Sequence, residues 1–318
     1  AISLVLQNIE KLSPGIKKSA ILPSYTCSTV IEPFQNRGYD IGVYLVDGSL
    51  MSDPENVIEA VERANPGIFL FHRYFGKDTI PHIDTVFPLL RERGIWIIED
   101  CTQGLYSTYQ RSDADYFVGS IRKWCGVPDG GFAVSRNSEI GNKPVVTDTI
   151  LENTMLEAEY LKYDYMFNHK STKDLFLERF RQAEKIIQGQ ERIYSISDAS
   201  VSIQSGLDVE HLKRTRRANY KFLESGLADC PSVHLVFNNL SDDEVPLYCP
   251  VLCEDRAAVQ GFLRENSIYA PIVWPKVDRL TVDDRVQYLY DHMLCLPIDQ
   301  RYGMDEMNLM VCKLNSVR

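Results

Sequence analysis

The sequence predicts an α/β fold, a large domain with a mostly parallel sheet followed by a smaller α+β module. Three observations carry this prediction. Short apolar runs of strand length recur through the first half of the chain, and helical patterns lie between several of them. After a charged, helical stretch from about residue 150 to 190, a second series of helices and strands begins. Alternation of this kind belongs to a parallel sheet with helical crossovers. We draw the domain line at 190/191, giving a large domain of residues 1–190 and a small one of residues 191–318. No repeat or low-complexity linker marks it.

In order, the predicted strands of the first half are SAILP (19–23), IGVYLV (41–46), IFLFH (68–72), IWIIED (95–100), DYFVGS (115–120) and GGFAVS (130–135). The helical segments between them are STVIEPFQNRG, PENVIEAVERANPG and IDTVFPLLRERG, each ending on glycine in the way helices often do. The second half offers the helix DVEHLKRTRRANYKFLESGL, strands VHLVF and VPLYCPVL, the helix EDRAAVQGFLRENS, and a closing helix after LCLPIDQRYG.

Composition narrows the function classes. The 318 residues carry a net charge of -10, which argues against a nucleic-acid binder, since phosphate backbones call for a basic surface. No apolar run approaches the roughly 20 residues of a membrane span. The chain opens on Ala1, so a processed or truncated start is expected. Its eight cysteines are scattered, with no C-x-x-C pair, and read as reduced thiols of a cytoplasmic protein; no zinc or other metal site is predicted. The phosphate cradles G-x-G-x-x-G and G-x-x-x-x-G-K-[ST] are both missing, as is a G-x-S-x-G elbow.

An α/β sheet binds ligands at the carboxyl ends of its strands. There, IWIIED ends on Glu99 and Asp100, and Gln103 follows Asp100 by three residues. Either acid could equally be a cap or a rim charge, but Gln103 favours Asp100, because it would offer a second polar group to the same ligand. Lys123 lies just beyond the next strand, three residues after Ser120 and before a glycine-rich turn, so an amine and a hydroxyl could share one pocket. The blander readings are a solvated lysine at 123, packing roles for Trp124 and Trp274, a satisfied structural group at His72, and a solvated helix face for KRTRR (213–217).

Taken together, these pieces resemble the DegT/DnrJ/EryC1/StrS family of pyridoxal-phosphate-dependent, fold type I aminotransferases. ILPSYTCSTVIEPFQNRGYDIGVYLVD is similar to the family's opening strand–helix–strand, and FHRYFG to its strand ending in tyrosine and glycine. IIEDCTQG is similar to its E-D-x-x-Q, GSIRKWCGVPDGG to its lysine segment, and LCLPIDQRYGMDEM to its closing motif and helix. The resemblance implies a seven-stranded-type sheet and pyridoxal 5'-phosphate as cofactor. It implies that Lys123 attaches the cofactor as a Schiff base and then shuttles protons, with Arg122 beside it able to lower its pKa. Asp100 faces the pyridine nitrogen, Gln103 lies near the phenolic oxygen, and Ser120 binds the phosphate. Tyr25 and Tyr74 are further cofactor-pocket candidates. The partners implied are a glutamate-like amino donor, a keto acceptor such as a keto sugar, and a second copy of the chain in a homodimer. Alternatives are a pyridoxal-phosphate lyase or dehydratase, whose relatives here replace the lysine with histidine, and a regulatory relative that keeps the scaffold.

Three departures stand out. The family's first phosphate-binding loop lies just before the helix that AISLVLQNIEKL resembles, where this sequence begins. The segment that supplies a ring-stacking aromatic has Tyr25 beside Cys27. The family's N-Y-R segment, which reaches the partner's site, is here Ile193, Tyr194 and Ser195. Without that amide and cation, weaker discrimination for nucleotide diphosphates is expected.

Overall fold

The computed structural model describes residues 1–108, 112–141, 143–190, 192–277, 280 and 282–317. Its first half runs α1 (Ile2–Leu12), β1 (Ser19–Pro23), α2 (Ser28–Gln35), β2 (Asp40–Tyr44), α3 (Pro54–Ala64), β3 (Ile68–His72), α4 (Phe87–Glu92), β4 (Trp96–Asp100), β5 (Tyr116–Ser120) and β6 (Gly131–Ser135). Then come α5 (Thr149–Tyr163), α6 (Lys173–Gln188), α7 (Asp198–Ser205), α8 (Val209–Gly226), β7 (His234–Leu235), β8 (Cys249–Leu252), α9 (Arg256–Glu265), α10 (Asp284–His292), β9 (Met293–Leu296) and α11 (Met304–Leu314). The expected α/β class is what the chain adopts. Its main sheet has the order β2-β1-β3-β4-β5-β6, six strands among the described residues, and β7-β8-β9 form a second, antiparallel sheet.

The chain divides into two compact units. The larger holds residues 15–115 and 208–318, the smaller residues 1–14 and 116–207.

In the larger unit, β2, β1, β3 and β4 are parallel neighbours. All of β3 and all but the first residues of β1 and β4 are buried, as strands covered on both faces should be. That double burial is why they read as continuous apolar runs. The helix α3 starts where Asp53 accepts a hydrogen bond from the Asn56 N–H, with Pro54 in the first turn, and stops at Asn65 in the left-handed region. The predicted strand VPLYCPVL shortens to β8 because its first half bonds elsewhere: Val245 N–H donates to Ser107 Oγ and Leu247 N–H to the Phe75 carbonyl. Gly76 makes that stitch possible. It has φ +88°, and a Cβ there would lie 2.0 Å from the Val245 oxygen. On α8, Leu212, Arg216, Asn219, Tyr220 and Leu223 are buried, which leaves its basic side outward.

In the smaller unit, Asn8 of α1 donates to the Tyr116 hydroxyl of β5 at 2.8 Å. The strands β5 and β6 pair antiparallel across a turn that carries Lys123 and Asp129. The helices α5 and α6 pack through Leu151, Met155 and Ala183, flanked by Phe180 and Ile186.

Candidate active site

The sequence-predicted site residues fall into both units. Tyr25, Tyr74, Asp100 and Gln103 belong to the larger unit, Ser120 and Lys123 to the smaller.

In the larger unit, β4 carries two buried acids in succession, and alternation along the strand sends them to opposite faces. Glu99 is consumed structurally. Its Oε1 pairs with Arg73 and its Oε2 accepts from the Ser112 hydroxyl, both at 2.5 Å, while Arg73 also bonds Asp78 at 2.8 Å. Asp100 takes the other face at the carboxyl end of the strand. Its Oδ1 accepts from the Thr102 N–H at 2.8 Å, and its register partner on β3 is His72. Gln103 turns its Oε1 to the Phe75 N–H at 2.7 Å, which fixes its side chain against the Tyr74–Gly76 turn. Neither Arg73 nor Ser112 was singled out from sequence. The signal available was a buried acid that must be paired, next to an arginine one strand away.

Tyr25 and Tyr74 are both buried in an aromatic cluster. The Tyr25 ring lies 5.7 Å from Tyr74, 5.2 Å from Trp274 and 4.7 Å from Tyr290, and the Tyr74 hydroxyl donates to the Tyr25 carbonyl at 2.5 Å. Burial raises both phenols well above the usual tyrosine range, so both stay neutral. His72 is edge-on to Tyr74 at 4.7 Å and sits 5.3 Å from Trp274. The satisfied structural histidine expected from sequence is only half satisfied. His72 bonds the Tyr25 backbone, but its buried Nε2 has no hydrogen-bond partner.

Burial lowers the His72 pKa from 6.5 to about 3, against a smaller raising effect of the backbone bond. Its sign with pH follows. Below about 6.5 the unfolded chain takes up a proton that the folded chain refuses until about 3, so stability falls as pH falls through that window. From this group alone the loss by pH 5 should be about 2 kcal/mol. Comparing denaturant unfolding at pH 7 and pH 5 for the protein and its His72→Phe variant checks this; an equal drop in both would refute it.

In the smaller unit, Ser120 ends β5 in extended conformation, and a single 3-10 turn, Ile121–Lys123, follows. Arg122 ion-pairs with Glu184 of α6 at 3.5 Å. Its charge is therefore committed to α6. Lys123 is exposed, with no hydrogen bond or ion pair among the described residues. Behind it, Asp129 is buried and binds the start of α7. Its carboxylate accepts from the Ser197 N–H at 3.1 and 3.2 Å, from the Ser197 hydroxyl at 2.9 Å and from the Ser200 hydroxyl. The next residue, Gly130, has φ +115°, and a Cβ there would meet Ile196 at 2.9 Å. The acid and glycine of the D-G-G tail thus hold the lysine turn in place from behind. In the 193–195 segment, Ser195 bonds the Val146 carbonyl, and the Arg192 guanidinium lies 5.8 Å from the Tyr194 ring.

Taken unit by unit, the groups fit pyridoxal phosphate. In the larger unit, a buried carboxylate at a strand end suits a protonated ring nitrogen, and the neighbouring strand brings an imidazole nitrogen without a hydrogen-bond partner. In the smaller unit, a lysine amine with no partner among the described residues suits an aldehyde.

A sequence profile of the DegT/DnrJ/EryC1/StrS aminotransferase family matches residues 1–308. A comparison with curated proteins yields no match. Among solved structures, the sugar aminotransferase CalS13 from Micromonospora echinospora is similar at 17% identity and TM-score 0.68, over 99% of this chain and 85% of that one. PseC from Helicobacter pylori, an aminotransferase involved in the biosynthesis of pseudoaminic acid, is similar at 13% identity and TM-score 0.65, over 98% and 82%. DesI, solved in the presence of its TDP-sugar product, is similar at 15% identity and TM-score 0.65, over 98% and 78%. At these identities the likeness speaks for the fold. Among the described residues, no helix is long and apolar enough to cross a membrane.

Proposed function

Because the chain belongs to the DegT/DnrJ/EryC1/StrS aminotransferase family, we propose that it moves an amino group from a glutamate-like amino acid to a keto acceptor of the keto-sugar class, with pyridoxal 5'-phosphate as cofactor. The observation that carries this reading is the sorting of the two acids on β4. Glu99 is spent on Arg73 and Ser112, whereas Asp100 stands at the strand end beside Gln103 and His72. The sugar acceptor is supported by the relatives, which include a sugar aminotransferase and an enzyme solved with its TDP-sugar product.

When bound, the cofactor supplies an aldehyde to carry the amino group and a ring to draw electrons from the substrate carbon. Each residue then has a defined task. Lys123 anchors the cofactor through Nζ and, once released, moves a proton to and from the donor's α-carbon. The Asp100 carboxylate keeps a proton on the pyridine nitrogen. Gln103, fixed by its bond to Phe75, would serve the phenolic oxygen, and the Ser120 hydroxyl would donate to the phosphate. Tyr25 and Tyr74, neutral and buried, form an apolar wall. Asp129 holds the lysine turn in register.

In the same reading the protein is a homodimer whose small-molecule sites are completed by the partner. Its eight free cysteines suit a reducing compartment such as the cytoplasm. The test is a spectral titration of purified, cofactor-loaded protein against a panel of amino acids. One amino acid should abolish the cofactor's visible band and yield its keto acid in equal amount, and a keto sugar should restore the band. Loss of the band to no amino acid would overturn amino transfer.

A further inference from the structure

The His72 imidazole has no task in amino transfer as proposed, yet it is buried at the candidate site with one nitrogen unused. We propose that Nε2 of His72 is a ligand contact. It accepts a hydrogen bond from an N–H or O–H group of the small molecule held beside Asp100, and the Trp274 indole is the gate over it. This rests on the amino-transfer reading of the pocket and adds to it a contact and a moving part.

His72 closes β3, and its register partner on β4 is Asp100, so the two side chains share one face of the sheet at adjacent strand ends. The single ring proton of His72 goes to the Tyr25 carbonyl, which also accepts from the Tyr74 hydroxyl. Nε2 therefore keeps a bare lone pair and can only accept. The atom has no hydrogen-bond partner, in a side chain that is 3% exposed. A buried acceptor without a donor costs free energy, and folded proteins keep few of them. Solvent does not supply the donor, because the Tyr74 edge and the Trp274 indole close on the imidazole at 4.7 and 5.3 Å. Burial also keeps the ring neutral near neutral pH, so the missing partner is a donor group and not an anion.

The two covers differ in how they are held. Tyr74 is tied at both ends, its N–H donating to the Thr79 hydroxyl at 2.9 Å and its own hydroxyl to the Tyr25 carbonyl. Trp274 is held by packing. Its indole lies 5.2 Å from the Tyr25 ring and 5.8 Å from the Tyr74 ring, and the indole N–H makes no hydrogen bond among the described residues. The chain before it is anchored at Ala270, whose carbonyl accepts from Gln260, and at Pro271, whose carbonyl accepts from the Cys295 N–H. Tyr269 and Ile272 on the same segment are exposed, so it runs along the protein surface. The indole can thus turn about its own side-chain torsions without breaking a hydrogen bond. That turn uncovers Nε2 and the Tyr25 and Tyr74 rings together.

The probe is diethyl pyrocarbonate, which acylates a neutral imidazole at an accessible nitrogen, with the label on each histidine read by peptide mass mapping near neutral pH. In the native protein His72 should be labelled slowly, at a rate that low denaturant leaves unchanged, as local opening requires and global unfolding does not. Trp274→Ala should raise the His72 rate about tenfold or more by removing the opening step, while exposed His169 and His211 keep theirs. Trp274→Phe, which keeps a ring and preserves the fold if the alanine variant does not, should fall between. Pyridoxal 5'-phosphate at about ten times its dissociation constant should slow His72 labelling about tenfold by mass action. The proposal is overturned if His72 is labelled only as fast as the protein unfolds, if the folded Trp274 variants label like the unaltered protein, or if the cofactor gives no protection. Failure of the amino-transfer reading looks different: the variants and the cofactor act on His72 as expected, but no amino acid changes the cofactor's visible band.

Discussion

Replacing Lys123 with alanine is expected to remove the covalent hold on the cofactor and to lower the rate of amino transfer at least about 1000-fold, within the range for loss of a positioned acid–base group. At 1.36 kcal/mol per tenfold, that is about 4 kcal/mol of barrier. The expectation rests on where the structure puts this lysine. It ends the 3-10 turn after β5, its neighbour Arg122 is committed to Glu184, and its own amine is unpaired among the described residues. The fold should not suffer, because an exposed side chain with no partner contributes little to stability. Borohydride reduction and peptide mapping of the unaltered protein should place the label on the 119–131 segment, at Lys123. Label on another lysine, or a Lys123→Ala variant that keeps more than a tenth of the rate, would sink the assignment.

The second large effect contrasts two adjacent acids. Asp100→Ala should slow the proton-transfer step by about 100- to 1000-fold, roughly 2.7–4 kcal/mol, as removal of a preorganised electrostatic group does. Its stability should change modestly, since the acid stands at the end of its strand. Glu99→Ala should do the reverse. It takes the buried partner from the Arg73 guanidinium, which keeps its bond to half-exposed Asp78, and from the Ser112 hydroxyl, a loss of up to about 3–5 kcal/mol in stability, with the chemistry touched only through the fold. Half-reaction rates and denaturant midpoints measured on both variants decide the matter. If Asp100→Ala transfers amino groups at a near-normal rate, or if the two variants behave alike, the division of labour on β4 is wrong.

Much of this was legible from sequence. The strands β1, β3 and β4 could be read because burial on both faces writes an unbroken apolar run, and Asp100 was separable from Glu99 through Gln103 three residues on. Ends were less legible. IGVYLV stops as a strand at Tyr44 because the Val46 N–H leaves the ladder for the Ser24 hydroxyl. The helices α7 and α10 were missed: each is short and depends on a capping side chain, Ser197 or Asp283, whose partner is a backbone N–H that no hydrophobic period reveals. His72 was given the bland reading, and its unpartnered Nε2 exists only because Tyr74 and Trp274 close around it from distant parts of the chain.

The interleaving of the two units has a consequence for synthesis. Each is assembled from two stretches of chain with the other's residues between them. When β1 to β4 leave the ribosome, helices α8 to α11 and the small sheet of their own unit have yet to be translated. At roughly 5–20 residues per second, the stretch from 208 to 318 takes on the order of ten seconds to follow. During that interval four apolar strands wait without much of their cover, the state in which unpaired edges find wrong partners. The nascent protein is therefore a natural client for chaperones, and a message that stalls between codons 116 and 207 yields a fragment with no complete unit at all.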